Sequence, residues 1–469
     1  MIPITVCAER NVAVFGLGLS GIAAARALAL GDANVVAWDD NEPGRAKARE
    51  TGISVAPPDA WDWAALETLV LSPGVPLTHP KPHAIVERAR AAGVEIIGDT
   101  ELFCRERRHK GLPGKVVAIT GTNGKSTTSA LTAHLLSTAG RDTVLGGNIG
   151  KAVLDLPPFA PDRYYVLEFS SFQIDLTPGL DADVSILLNV QPDHLDRHGT
   201  LENYAAIKAR IFSRLDAQTC GVIGLDSDLT RRLAAQWPFA AERREVSTTQ
   251  PVSDGVYVRD GLLFEAQGGV VEAPISLHGV PALRGAHNWE NAAAAYAAAR
   301  ALGLSREEII EGLRSFPGLA HRMEEVGRLG RVAFINDSKA TNADAAARAL
   351  ACFDPVFWIV GGQPKEGGLA GLEAYYPRVA KAYLIGEAAA DFAGQLEGRV
   401  SYEHCGTLEN AVAAASRDAL RSAAREPVVL LSPASASYDQ FPNFAVRGEV
   451  FRELVAAHEG VSMREAIAA

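Results

Sequence analysis

At 469 residues, 48% hydrophobic and 22% charged, the chain has the length for about three folded cores and too much apolar content for a disordered chain. A formal net charge of −11 argues against a nucleic-acid partner, which needs clustered Lys and Arg. No window approaches the roughly 18 apolar residues of a membrane span, and no basic stretch followed by an apolar core opens the chain, so a soluble cytoplasmic protein without a membrane partner is expected. The five cysteines, Cys7, Cys104, Cys220, Cys352 and Cys405, lie far apart without CxxC spacing and read as reduced packing residues.

The first elements are an apolar run NVAVFGLG from Asn11, a helical stretch SGIAAARALAL stopped by Gly31, and a second run NVVAWDD, which together predict a β-α-β unit. TLVLSPGV at 68–75 adds a strand ending in a Ser-Pro-Gly loop. The basic run RERRHK at 105–110 reads as a solvated helix end or linker closing a first domain over 1–111. KVVAIT then opens a second domain over 112–317. It holds a helix at 126–139 stopped by Gly140, strands in RYYVLEFS and VSILLNV, and an antiparallel annex over 216–280. An alanine-rich helix at 287–302 follows, and SREE from Ser305 offers a capping box. FPGLAHR at 316–322 marks the next boundary, and the domain over 318–469 alternates again through RVAFIND, a helix at 340–351, PVFWIVGG, AYLIG, a helix near 409–423 and PVVLLSPAS. Strands separated by helices predict an α/β fold with three consecutive open parallel-sheet domains: Rossmann-like, P-loop ATPase-like, and Rossmann-like.

Two glycine loops compete for the chemistry. Gly16-Leu17-Gly18-Leu19-Ser20-Gly21 fits GxGxxG, with Asp39 about twenty residues on. It reads as a dinucleotide site, as a tight turn without a ligand, or as a cradle for another diphosphate such as that of a UDP-sugar. The second loop, Gly121-Thr122-Asn123-Gly124-Lys125-Ser126, lacks the first glycine of a full P-loop, because Ile119 stands there. Its backbone N–H groups and the following helix would still hold phosphates, with Lys125 neutralising charge and Ser126 facing Mg²⁺. Hydride transfer has no use for a triphosphate, so the chemistry is assigned to the second loop and a substrate to the first.

Glu168 ends an otherwise apolar strand where a Mg²⁺ ligand would sit, and is equally readable as a surface glutamate. NVQPDHLDRHG places Asp193, His194 and Asp196 together as a catalytic or metal cluster. Lys208, in ENYAAIKARIF, reads by spacing alone as a solvated lysine.

Taken in order, GTNGKST, EFSSFQ, NVQPDHLDRHG, YAAIKARIF, HNWENAAAA, GLAHRME, INDSKATN and LLSPASASYDQF resemble the Mur ligase family of peptidoglycan synthesis across essentially the whole chain. GLGLSG, LSPGVP, NDSKATN and SPASASYDQFPNFAVRG are most similar to the branch that joins D-glutamate to UDP-N-acetylmuramoyl-L-alanine. Siblings adding other amino acids and folylpolyglutamate synthase share the ATP core. A nicotinamide-dependent oxidoreductase and a P-loop switch or structural ATPase are the readings from other classes.

The resemblance implies a monomer that uses ATP to activate the muramoyl-alanine carboxylate as an acyl phosphate, with Mg²⁺ at two sites. It puts ATP on Gly121, Thr122, Asn123, Gly124, Lys125, Ser126, Thr127, Asn288, Asn291, Arg322, Asp337 and Lys339. It puts metal on Ser126, Glu168, His194 and a CO₂-derived carbamate of Lys208, which reverses the reading from spacing, and makes Lys125, Glu168, His194 and Lys208 catalytic. The UDP-substrate falls to Leu19, Ser20, Asp39, Gly74, Asn148 and His194, and D-glutamate to Thr341, Lys365, Ser437 and Phe444. Asp40 and Asn41 depart from the threonine and arginine often found after the first-domain acid, and an acid there is unfavourable beside a diphosphate.

Overall fold

The computed structural model describes residues 1–238, 240–464 and 467. The chain divides into two compact units, Met1–Ser276 with Glu290–Arg314, and Leu277–Trp289 with Ser315–Ala469.

The first unit carries two sheets. Strands β1 (Asn11–Phe15), β2 (Asn34–Trp38), β3 (Thr68–Leu71) and β4 (Glu95–Ile97) form a wholly parallel sheet in the order β2-β1-β3-β4. The glycines of the first loop are required by close approach. Gly16 has φ +89, and a Cβ there would come within 2.5 Å of the Ser72 Cβ, while one on Gly21 would overlap the Gly16 carbonyl.

The second sheet is built on β5 (Lys115–Thr120), β6 (Asp142–Gly147), β7 (Arg163–Glu168), β8 (Val184–Leu187) and β9 (Cys220–Gly224), parallel in the order β9-β8-β5-β7-β6. β5 is buried from Val116 onward, as expected of a strand covered on both faces. The annex expected to be antiparallel starts otherwise. β10 (Glu242–Ser247) and β11 (Gly255–Arg259) continue the parallel order, and only β12 (Leu262–Gln267), β13 (Val270–Val271) and β14 (Ile275–Ser276) pair antiparallel. Turn composition betrayed the hairpins but not the crossover through the helix Asp228–Ala235 that keeps β10 parallel.

RERRHK is a helix end rather than a linker, and only His109 and Lys110 in it are exposed. It ends the helix Asp99–His109, where Arg107 is 4% exposed and bonds the Asp183 carboxylate at 2.7 Å and the Gly114 carbonyl at 3.0 Å. Arg108 pairs with Asp181, and Arg105 with Glu95 and Glu101. Acids from the edge of the second sheet, from β4 and from the helix itself thus neutralise the run, and the partners Asp181 and Asp183 are invisible in its local charge.

The second unit holds β15 (Glu324–Leu329), β16 (Val332–Asn336), β17 (Val356–Gly361), β18 (Val379–Ile385), β19 (Tyr402–Gly406), β20 (Val428–Leu431) and β21 (Ser462–Met463). The order is β19-β18-β17-β20-β16-β15-β21, parallel except where β15 meets β16 and β21. The expected helix at 340–351 begins only at Ala343, because Asn342 turns back to accept the Ala345 N–H as an N-cap. The Ser305 capping box forms in both directions.

Candidate active site

Loops after β5, β6, β7 and β8 meet at the carboxyl edge of the second sheet, the usual place for ligands in open parallel sheets. Gly124, at φ +83, caps the helix Lys125–Thr138, and a Cβ on it would overlap the Asn291 carboxamide oxygen. The turn is braced from the β8 loop. The Thr122 N–H donates to the Asn189 carbonyl and the Asn123 N–H to its side-chain oxygen, each at 2.9 Å. Lys125 Nζ folds over the turn onto the carbonyls of Gly121 and Thr122, at 2.9 and 2.8 Å. Ser126 and Thr127 open the helix, with Ser126 buried.

Glu168 ends β7 and is buried. Its Oε1 accepts the Asn148 amide at 2.7 Å, while among the described residues its buried Oε2 has no partner. A buried carboxylate oxygen left open at a phosphate cradle suits a hard divalent cation. Among the described residues no group of three or more His, Cys, Asp and Glu stands ready as a metal cage.

Lys208 is 1% exposed. Its Nζ donates to the Gly121 carbonyl at 2.8 Å and the Thr120 hydroxyl at 3.3 Å, and lies 4.7 Å from the centre of the Tyr204 ring. Burial, reinforced by Lys125 and opposed by Asp193 and Glu168, pushes its pKa down to about 6. The solvated reading from spacing is therefore overturned: Lys208 sits in the buried stripe with Tyr204 and Ile211, four residues after the first and three before the second. A neutral amine is also the form that adds CO₂.

His194 caps a short turn in the left-handed region, at φ 51, with its ring against Phe172 and its Nε2 3.5 Å from Asp193. Sequence reasoning singled out Asp193 and Asp196 beside it but passed over His198. His198 is buried, shares a hydrogen bond of 2.9 Å with the Ser171 hydroxyl and stacks on Phe172, and burial pushes its pKa down to about 4. The signal was its position four residues after His194, on the same helical face.

In the first sheet, Leu19 and Ser20 open the helix Leu19–Leu30. The Asp39 carboxylate closes the loop by accepting the N–H groups of Leu17 at 2.5 Å and Asn41 at 2.7 Å. The unfavourable Asp40 is met locally: its carboxylate lies 3.0 Å from His83 Nε2, and Arg45 donates to the carbonyls of Asp39 and Asp40. Gly74 is held in the loop after β3.

The Asn291 carboxamide is buried under the phosphate turn, where its oxygen accepts from the Thr128 hydroxyl at 3.2 Å. In the second unit, buried Asn288 donates to the Arg284 carbonyl at 3.0 Å. The two sit on the helix Ala286–Ala301 as buried, engaged amides rather than an exposed pair.

Within the second unit, Arg322 is flanked by His321 and Met323, both in the left-handed region at φ 63 and 47. Asp337 is buried, accepts from the Ser432 hydroxyl and the Met323 N–H, and is pushed up to about 7 by its burial. Lys339 Nζ lies 3.9 Å from the centre of the Phe444 ring. Thr341 follows it, Ser437 is buried, and Lys365 is exposed on the loop after β17. Arg447, also missed from sequence, organises this group. Its guanidinium, buried at 1% exposure, donates to the Ser338 hydroxyl and to the carbonyls of Ser338, Ser435 and Ala436.

Residues 119–299 match the Mur ligase middle domain, and residues 321–435 the Mur ligase glutamate ligase domain. A Chelativorans sp. (strain BNC1) protein named UDP-N-acetylmuramoylalanine–D-glutamate ligase is 55% identical over 464 residues, 99% of each chain. The chain belongs to the Mur ligase family. A Rhizobium meliloti (strain 1021) Mur ligase of the same name is 54% identical over 99% of this chain and 100% of its own. Among solved Mur ligases, the UDP-N-acetylmuramate–alanine ligase of Thermotoga maritima shares the fold at TM-score 0.55 and 18% identity, covering 95% of this chain and 98% of that one. Among the described residues no helix is long and apolar enough to cross a membrane.

Proposed function

We propose that this Mur ligase joins D-glutamate to UDP-N-acetylmuramoyl-L-alanine with conversion of ATP to ADP and phosphate, in cytoplasmic peptidoglycan precursor synthesis. The observation that carries the reading is 54–55% identity, end to end, to relatives bearing that activity in their names.

In the first step a substrate carboxylate oxygen attacks the γ-phosphorus; the new O–P bond replaces the one to ADP. The amine of D-glutamate then attacks the acyl carbon and loses a proton, and phosphate departs. The chain's share is positioning and charge neutralisation. Backbone N–H groups of Gly121–Thr127 and the helix behind them receive the phosphates, and Lys125 neutralises them. Asn291, Asn288, Arg322, Asp337 and Lys339 serve the rest of the nucleotide. Leu19, Ser20, Asp39, Gly74, Asn148 and His194 hold the UDP-substrate, and Thr341, Lys365, Ser437 and Phe444 hold D-glutamate. Mg²⁺ on Ser126, Glu168, His194 and carbamylated Lys208, in two sites, would neutralise the transferred phosphoryl group. Carbamylation is supported by the burial of the Lys208 amine, which pushes its pKa down to about 6.

The decisive assay follows phosphate release from ATP with UDP-muramoyl-alanine and a panel of amino acids. Turnover with D-glutamate alone is expected; dependence on L-glutamate or a diamino acid would move the chain to a sibling reaction.

A further inference from the structure

The motif NVQPDHLDRHG contains an arginine that the proposed mechanism leaves unused. Arg197 lies in the turn after β8 and reaches across to the first sheet. Its Nη1 donates to the Gly74 carbonyl at 3.2 Å, and its Nη2 to the carbonyls of Pro73 at 3.4 Å and Val75 at 3.2 Å. Three consecutive carbonyls of one loop thus converge on a single guanidinium. The plane of that guanidinium is seated over the Phe172 ring, 4.6 Å from its centre. The same ring touches His194 at 5.0 Å and His198 at 5.2 Å.

This arrangement forms a mechanical chain from the loop that follows β3 to the residues that follow β7 and β8. At its far end the loop is tied to its own sheet, where the Ser72 N–H donates to the Phe15 carbonyl at 2.9 Å. At its near end the covalent path back to the second sheet is long, passing through β4 and the helix Asp99–His109. Beyond the pairings of the helix Asp99–His109 with Asp181 and Asp183, Arg197 gives this loop its own direct bridge to the turn after β8. A planar fork with five N–H donors can make such a bridge where a single ammonium cannot.

We propose that Arg197 is a positioning residue that sets the register of the Pro73–Val75 substrate loop against His194 and the phosphate turn. This rests on the reading above that Gly74 helps to hold the UDP-substrate. Its guanidinium nitrogens are spent on the carbonyls of Pro73, Gly74 and Val75, so Arg197 acts through the loop it holds. Losing it costs alignment of the sugar-nucleotide carboxylate with the phosphate to be transferred, and alignment is where small displacements are expensive.

The test compares Arg197→Ala and Arg197→Lys with the wild-type enzyme. In Arg197→Ala, KM for UDP-muramoyl-alanine should rise about tenfold with a fall in kcat, while KM for ATP should stay within about twofold. Arg197→Lys, which keeps the charge over Phe172 but loses the fork, should fall between them. Amide hydrogen exchange across residues 72–78, measured without substrate, should accelerate in Arg197→Ala and not across 121–127. A uniform loss in all parameters together with lowered thermal stability, or unchanged exchange in the loop with KM for the two substrates moving in step, would overturn the proposal. Failure of the wild-type enzyme to turn over the sugar nucleotide would instead overturn the assigned reaction, and the exchange result would still decide whether Arg197 anchors the loop.

Discussion

The Lys208 amine donates to the Gly121 carbonyl at 2.8 Å, tying the helix Leu201–Ala209 to the first residue of the phosphate turn. At the low pKa that burial imposes, the amine is mostly neutral at pH 7 and competent to add CO₂. Lys208→Ala should therefore lower kcat by roughly a hundredfold or more, as loss of a charge-stabilising group in a desolvated site does. Short carboxylates such as acetate or formate, added at increasing concentration, should restore part of the activity by supplying the missing anionic oxygen. Full activity in the alanine variant would remove carbamylation from the mechanism.

Gly124 and Asn291 are in van der Waals conflict with any larger side chain at the turn. Gly124→Ala would place its Cβ on the Asn291 carboxamide oxygen and force alanine to φ +83. The left-handed conformation alone costs about 1–2 kcal/mol, and the overlap adds to it. We expect loss of ATP binding by titration and a lower denaturation midpoint. In the double variant with Asn291→Ala the overlap is relieved and the strain is not, so part of the stability should return. If the two substitutions prove additive, the contact between them has no energetic weight.

How far the sequence could be read depended on whether a signal was local. The turn at Gly121 and the helix behind it were legible because glycine spacing and apolar periodicity lie within a dozen residues. Lys208 was misread from spacing although Tyr204 and Ile211 put it on the buried stripe; a lysine's charge outweighed its position. Arg107 and Arg108 were read as solvated because their partners Asp183 and Asp181 are more than 70 residues away. Arg447 and Arg197 escaped for the same reason: each binds main-chain carbonyls, which no residue type advertises.

Asp99, at 2% exposure, carries both carboxylate oxygens buried and, among the described residues, without a well-formed hydrogen bond. Burial pushes its pKa up to about 6, against weaker opposition from the Ser20 hydroxyl and the N–H groups of Thr100 and Asp99 itself. In the unfolded chain it titrates near roughly 3.9. Between these values the native state binds more protons, so its contribution to stability falls as pH rises from about 4 to 6 and stays low above that. Asp99→Asn removes the term. Urea denaturation should find the variant equal to wild type near pH 4 and more stable at pH 7, by up to about 3 kcal/mol. A pH-independent difference, or a less stable variant at pH 7, would contradict this account.

Arg447 joins the loop at Ser338 to the loop at Ser435 and Ala436, the two segments that flank Lys339 and Ser437. Its guanidinium is buried and bonded to carbonyls and a hydroxyl, and burial holds its pKa down at about 10. An ammonium in its place would satisfy fewer of these acceptors and leave buried carbonyls unpaired, at about 1–3 kcal/mol each. Arg447→Lys should accordingly lower thermal stability by several degrees. The more telling effect is on catalysis: with Ser437 no longer held in place, KM for D-glutamate should rise by about tenfold, with KM for UDP-muramoyl-alanine little changed. Steady-state kinetics at saturating ATP separates the two constants. An unaltered KM for D-glutamate in a folded variant would show that the loops around Ser338 and Ser435 keep their geometry without the guanidinium.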